Sequence, residues 1–182
     1  MSELRTNPVA FQNPHSRANK IGRVLWGIVW LLLFRPTPQC MGAWRSYLLT
    51  LFGAKIGRAR LHQSVSVWAP WLLELGSDVY IDRNVHLYNV FGLTTGDRVI
   101  ISLGSFLCGA SHDYTKASYP LTGGRIILGS DSWLAADVFV SPGIKIGEGC
   151  VVGARSVVTK DVPPWSVIAG NPAKVIKPRT VT

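Results

Sequence analysis

Four histidines, His15, His62, His86 and His112, are the side chains of this 182-residue chain whose ordinary pKa suits proton transfer near neutrality. His15 lies in a basic, polar lead-in, and His62 and His86 fall among regularly spaced aliphatic residues, where they read as surface positions. His112 stands apart, in Ser111-His112-Asp113, within the polar, glycine-rich stretch CGASHDYTKASYPLTGGRII. A histidine there could act as a general base. By spacing alone, however, a loop histidine is more often solvated than catalytic, and the residues leave its role open. Asp113, a backbone carbonyl or another acid such as Asp82 could orient the ring, and adjacent residues seldom point the same way.

Other chemistry is poorly served. The three cysteines, Cys40, Cys108 and Cys150, are widely spaced and form no CxxC pair, so neither a disulfide framework nor a structural zinc site is expected. A reducing cytoplasm is the default compartment. Cys150 sits in an apolar run and reads as a small core residue. The net charge of +9 is local: residues 1–60 hold nine Lys/Arg and one acid, whereas residues 61–172 hold seven Lys/Arg and nine acids. A nucleic-acid partner is disfavoured, because the larger part of the chain offers no cationic track.

The elements that must position these residues follow from periodicity. Leu128, Leu134, Val140, Ile146, Val152 and Val158 recur every six residues, and Ser132, Val138, Ile144, Cys150, Ser156 and Val162 form a second column in the same phase. Neither a helix nor an alternating strand repeats at six; a solenoid of hexapeptide coils does. Leu61 and Val67, then Leu75, Ile81 and Leu87, then Thr95, Ile101 and Leu107 keep the phase, separated by two-residue slips expected at coil corners. The segment between Leu107 and Leu128 reads as a loop projecting from the solenoid.

The end coils of a solenoid need covers. Residues 1–55 are placed to cap the first coil and the tail 165–182 to end the last, which leaves 56–164 as the β-helix. The run Val24–Phe34 (VLWGIVWLLLF) is too short to cross a bilayer, and no cleavage or lipoprotein site follows it, so it is expected to be retained. Pro36 and Pro38 separate it from Trp44–Phe52, giving two short helices. Trp26, Trp30 and Trp44 mixed with arginines have the composition of helices at a lipid interface, so peripheral membrane contact through residues 20–52 is one reading. Packing on the solenoid or a neighbouring subunit is the other.

The run LGSDSWLAADVFVSPGIKIGEGCVVGARSVVTKDVPPWSVIAGNPAKVIK resembles the C-terminal half of the left-handed β-helix acetyltransferases of the hexapeptide-repeat superfamily. With the LFGAKIG stretch, Ala69-Pro70-Trp71 and the SHD motif, nearly the whole chain resembles the acetyltransferases of colanic acid and related exopolysaccharide biosynthesis. That resemblance implies a homotrimer of left-handed parallel β-helices with active sites between subunits. It implies acetyl-CoA as donor, no metal, and a sugar hydroxyl as acceptor, nucleotide-linked, lipid-linked or polymeric.

It also assigns residues. His112 matches the catalytic histidine of the sugar acetyltransferases, with Asp113 beside it as a candidate orienting group. Asn84 matches an acceptor-binding asparagine, although asparagine also suits a tight corner, and Tyr88 is a nearby acceptor candidate. Trp133 matches a tryptophan lining the donor channel. Ala136 and Ala154 fall where backbone meets the pantetheine arm, with Thr159 and Lys160 beside it. Lys160, Lys174, Lys177 and Arg179 could meet the CoA phosphates, Arg179 being alternatively a solvated tail residue. The rivals are transfer to an amine or an antibiotic hydroxyl, a non-enzymatic scaffold, and a zinc carbonic anhydrase, for which the chain lacks a close histidine pair in the repeats.

Overall fold

The computed structural model describes residues 15–181, so residues 1–14 of the expected N-terminal segment and residue 182 of the tail lie outside the description. Short parallel strands stack into three faces. Face A holds β1 (Lys55–Ile56), β4 (Leu73–Leu75), β7 (Leu93–Thr95), β12 (Ile126–Leu128) and β15 (Lys145–Ile146). Face B holds β2 (Ala59–Leu61), β5 (Val79–Ile81), β8 (Ile100–Ile101), β13 (Trp133–Leu134), β16 (Val151–Val152) and β18 (Ser166–Gly170). Face C holds β3 (Ser66–Val67), β6 (His86–Tyr88), β9 (Phe106–Cys108), β14 (Phe139–Val140) and β17 (Val157–Val158). The chain visits A, B and C in turn, so each triplet is one coil of a parallel β-helix.

The hexapeptide columns are the reason. Leu61, Ile81, Ile101, Leu134, Val152 and Ile168 point inward from face B, and Val67, Leu87, Leu107, Val140 and Val158 from face C, all buried. The second column is buried too, Cys150 included, and burial raises that thiol's pKa, as befits a core residue and not a nucleophile. Between faces B and C the chain turns on Asn84, Gly104, Asp137 and Arg155, all with positive φ. Between A and B, arginines tie neighbouring coils, Arg58 to Asp78 and Arg98 to Asp131.

Every interruption of the six-residue phase falls at the C-to-A corner. The first slip contains a single 3-10 turn, Pro70–Leu72. The second carries Asn89, whose buried amide accepts from Ala69 N at 3.1 Å and donates to Ala69 O at 2.7 Å, stitching the two slips together. The third is the out-of-frame segment. It is not an irregular loop but an antiparallel hairpin of β10 (Ala110–His112) and β11 (Leu121–Gly123), and the chain rejoins face A at Ile126.

The ends are closed differently. Helix α1 (Arg17–Val29) is capped by Ser16, whose Oγ accepts from Asn19 N, so it begins seven residues before the apolar run and takes Arg17, Lys20 and Arg23 into its first turns. A π-turn, Trp30–Phe34, and Pro36 end it, and α2 (Gly42–Leu51) follows. Backbone hydrogen bonds join neighbouring coils in both directions, as His62 N to Ile81 O and Val79 N to Arg58 O, and carbonyls of the first coil that point away from the second have no preceding coil to bond them. The helices supply the missing donors: Trp26 Nε1–H to Val67 O and Trp30 Nε1–H to Val65 O, both 2.8 Å, and Arg45 Nε–H to Leu61 O at 2.7 Å. The capping role is therefore met by side chains of the N-terminal helices. At the other end β19 (Ala173–Pro178) folds back antiparallel on β18. Arg179 is not simply a solvated tail residue: its Nη1–H groups donate to Asp131 O and Gly149 O, fastening this strand across two coils.

Candidate active site

His112 ends β10 and is exposed. Its Nδ1 lies 2.6 Å from Tyr119 O across the hairpin. A carbonyl oxygen only accepts, so this contact requires the proton on Nδ1 and leaves the lone pair of the neutral ring on Nε2. The carbonyl is presented by a left-handed residue, Tyr119 at φ +46, and Asp113 N donates to Pro120 O at 2.9 Å to close the same turn. Of the three orienting groups the sequence allowed, the backbone carbonyl holds Nδ1.

Asp113 does other work. Its Oδ1 accepts from Thr115 N at 3.0 Å and from Thr115 Oγ1, and its Oδ2 lies 3.7 Å from Lys116 Nζ. The Thr115 hydrogen bonds, more than the lysine charge, hold its carboxyl below the usual aspartate range. It shapes the hairpin tip. Asp82 meanwhile accepts from Arg83 N at 2.7 Å.

Tyr88 ends β6 at the corner from which the hairpin springs, and its carbonyl accepts from Gly109 N at 2.8 Å. Its ring lies between those of Trp68 and Phe106, with centroids 6.0 and 6.2 Å away, and Phe106 continues to Phe139. This aromatic file up face C went unread in the sequence, because the hairpin insertion hides the register that aligns Phe106 with Phe139. Thr159 and Lys160 follow β17 at the same corner, two coils beyond the hairpin, and both are exposed.

The remaining predicted residues lie elsewhere on the prism. Trp133 faces outward from face B, 43% exposed, with its indole N–H donating to Ser102 Oγ at 3.0 Å. Ala136 and Ala154 follow β13 and β16 at the B-to-C corner, where Ala136 O accepts from Arg155 N. Asn84 occupies that corner two coils earlier, at φ +57, with its backbone N–H donating to Ser64 Oγ. Lys174 and Lys177 extend from β19, in register with Ala169 and Val167 of face B. A single chain thus carries two groups, one around His112 at the C-to-A corner and one on face B and the B-to-C corner, with face C between them. Separately, a cleft of about 740 Å³ opens between α2 and the start of face B, lined by Cys40, Arg58, Arg60, His62 and Tyr80 among others, and it does not include His112. Among the described residues no cluster of three His, Cys, Asp or Glu could hold a metal ion.

A three-faced parallel β-helix with a histidine-bearing hairpin at one corner defines a class, the left-handed β-helix acyltransferases. Residues 125–160 match the family model described as bacterial transferase hexapeptide (six repeats). The chain is 43% identical over 165 residues to the putative colanic acid biosynthesis acetyltransferase WcaF of Escherichia coli (strain K12), covering 90% of this chain and 91% of that one. Among solved structures it is similar to a maltose O-acetyltransferase from Clostridium difficile 630, with TM-score 0.83, 25% identity and coverage of 91% and 90%. A galactoside acetyltransferase in complex with coenzyme A gives TM-score 0.82 at 25% identity, covering 92% of this chain and 86% of that one. The chain belongs to the hexapeptide-repeat acetyltransferases and is an acetyltransferase.

Proposed function

We propose that the chain transfers an acetyl group from acetyl-CoA directly to a sugar hydroxyl of an exopolysaccharide precursor, with His112 as general base. The observation that carries this reading is the Nδ1 contact to Tyr119 O, which prepares Nε2 to accept a proton. Nε2 removes the hydroxyl proton as the sugar oxygen attacks the thioester carbonyl. The tetrahedral adduct collapses with loss of the CoA thiolate, which takes up the proton from the imidazolium, so the base is regenerated. The full-length similarity to WcaF, named for colanic acid biosynthesis, supports the sugar class.

Two separate groups on one chain support a homotrimer in which the His112 corner of one subunit meets face B of its neighbour. In that arrangement Trp133, Ala136 and Ala154 line the donor channel, Thr159 and Lys160 flank it, and Lys174 and Lys177 meet the CoA phosphates. Asn84 and Tyr88 contact the acceptor. Three free cysteines suit the cytoplasm as the place of reaction.

A thiol-release assay with acetyl-CoA against nucleotide sugars, lipid-linked sugars, amino sugars and chloramphenicol tests the reading. Release with a hydroxyl sugar supports it, release only with amines moves the assignment to N-acetylation, and no release with any acceptor overturns it. His112→Ala is expected to lower kcat by about two or more orders of magnitude with CoA affinity nearly unchanged. Retained turnover in that variant removes His112 as the base.

A further inference from the structure

Helix α1 sits on the solenoid the wrong way round for a soluble helix. Its inward face carries Gly22, Arg23, Trp26 and Trp30, and Trp26 and Trp30 reach the first coil through their indole N–H groups. Arg23 lies over the Trp68 ring at 4.5 Å. The outward stripe, at the i, i+3, i+4, i+7 spacing of one helix face, is Ile21, Val24, Leu25 and Ile28, continued by Leu31 and Leu32. Val24 and Leu32 are 65% and 62% exposed.

The patch continues onto α2. Trp44 Nε1–H donates to Leu33 O at 2.9 Å, which locks α2 beside the π-turn. Trp44, Tyr47 and Leu51, spaced i, i+3 and i+7, then add a second outward stripe, 36–66% exposed, with the Trp44 and Tyr47 rings 5.8 Å apart. An apolar surface spread over two helices is larger than scattered surface leucines require.

The charge around it selects the occupant. From residue 15 to residue 73 the described chain contains no Asp or Glu, while Arg17, Lys20 and Arg35 flank the apolar stripe. A second copy docking by the same face would bring cations against cations. Of the solenoid's acids nearest this end, Glu74 and Asp78 already pair with Lys55 and Arg58. An anionic lipid surface satisfies both features, taking the leucines and tryptophan into the headgroup–acyl boundary and the cations among the phosphates. No helix among the described residues is long and apolar enough to cross a membrane, so the contact lies along one leaflet. We infer that the outer face of α1, the π-turn and α2 is a docking surface for an anionic bilayer, which holds the enzyme parallel to the membrane by the end of the solenoid that these helices cap.

The test is co-sedimentation of the full chain with vesicles of phosphatidylcholine alone or with 30% phosphatidylglycerol, at about 0.1 M salt. The expected result is at least about tenfold stronger partition onto the anionic vesicles, with a blue shift of tryptophan emission. Val24→Glu/Ile28→Glu and, separately, Arg17→Glu/Lys20→Glu/Arg35→Glu should each weaken that partition by at least about tenfold. Both sets alter exposed residues, and unchanged thermal melting and solution mass are expected for each. Wild-type protein left in the supernatant with both vesicle types overturns the proposal. So does a reduced solution mass for Val24→Glu/Ile28→Glu, which would assign the face to subunit contact.

Discussion

His112 and Arg45 show how much one side chain can be asked to do. The Tyr119 carbonyl fixes the His112 tautomer through an uncharged acceptor, and Asp113 is engaged with Thr115 instead. Asp113→Asn should therefore act mainly through the hairpin tip, with a much smaller loss of kcat than His112→Ala, and steady-state rates of the two variants check the distinction. Arg45 is 1% exposed and pairs with no acid among the described residues; burial pulls its pKa below the usual arginine value. Its guanidinium is spent on oxygens of Leu61, Thr37, Pro38 and Gln39 at 2.7–3.0 Å. Arg45→Leu strands these acceptors and should cost about 3 kcal/mol or more in a denaturant melt. Nothing in the spacing of the sequence distinguished this arginine from its exposed neighbours, because its partners, three backbone carbonyls and the Thr37 hydroxyl, converge only once the turn before α2 and the first coil close around it.

At the scale of elements, the hexapeptide columns were legible from Leu61 to Val158 because each inward residue repeats within the same short strand and turn. The slips were legible as corners, but not as one corner, since that requires knowing that the coils superpose. Likewise the stretch after Leu107 was readable as a projection, while its pairing of Ala110 with Gly123 depends on a close approach: a Cβ on Gly123 would run into Gly109 O and the Phe91 ring. Glycines elsewhere mark the A-to-B corner for the same steric reason. A Cβ on Gly76 would overlap the Gly96 carbonyl of the next coil, whereas one on Gly27, in α1, meets nothing within 4 Å. Gly76→Ala should destabilise by about 2 kcal/mol through overpacking, and Gly27→Ala should stabilise by about 0.5–1 kcal/mol through helix propensity. Opposite shifts in thermal midpoint would check both.

For the whole molecule, the charge of +9 resolves into an N-terminal cap with a single acid, a repeat region held by cross-coil pairs, and a short basic strand. The arginine hydrogen bonds that lower the Asp78 and Asp131 pKa values below the ordinary 3.8 contribute to the acid response, as do the bonds that lower Glu74 and Asp113. Depressed carboxylates stabilise the fold above their unfolded pKa and lose that contribution as pH falls through the folded value. The melting temperature should hold from neutrality to about pH 4 and fall below it, and Asp131→Asn should blunt the fall in a pH series of melts. The exposed apolar face of α1 and α2 and the candidate catalytic corner belong to different parts of this prism, so each can be altered alone.

The ladder between coils runs in both directions, as His62 N to Ile81 O and Val79 N to Arg58 O, so every inner layer is held from both sides. Each terminus of the stack leaves backbone groups without a neighbouring coil, and on the first coil the carbonyls of Leu61, Val65 and Val67 take their donors from the helices. Such a stack can be lengthened by inserting whole coils in its middle, where each new layer finds both partners, but its two lids are not interchangeable. The indoles and guanidinium of the first lid have only protons to give, whereas the last coil is closed by the backbone of β19 pairing with β18.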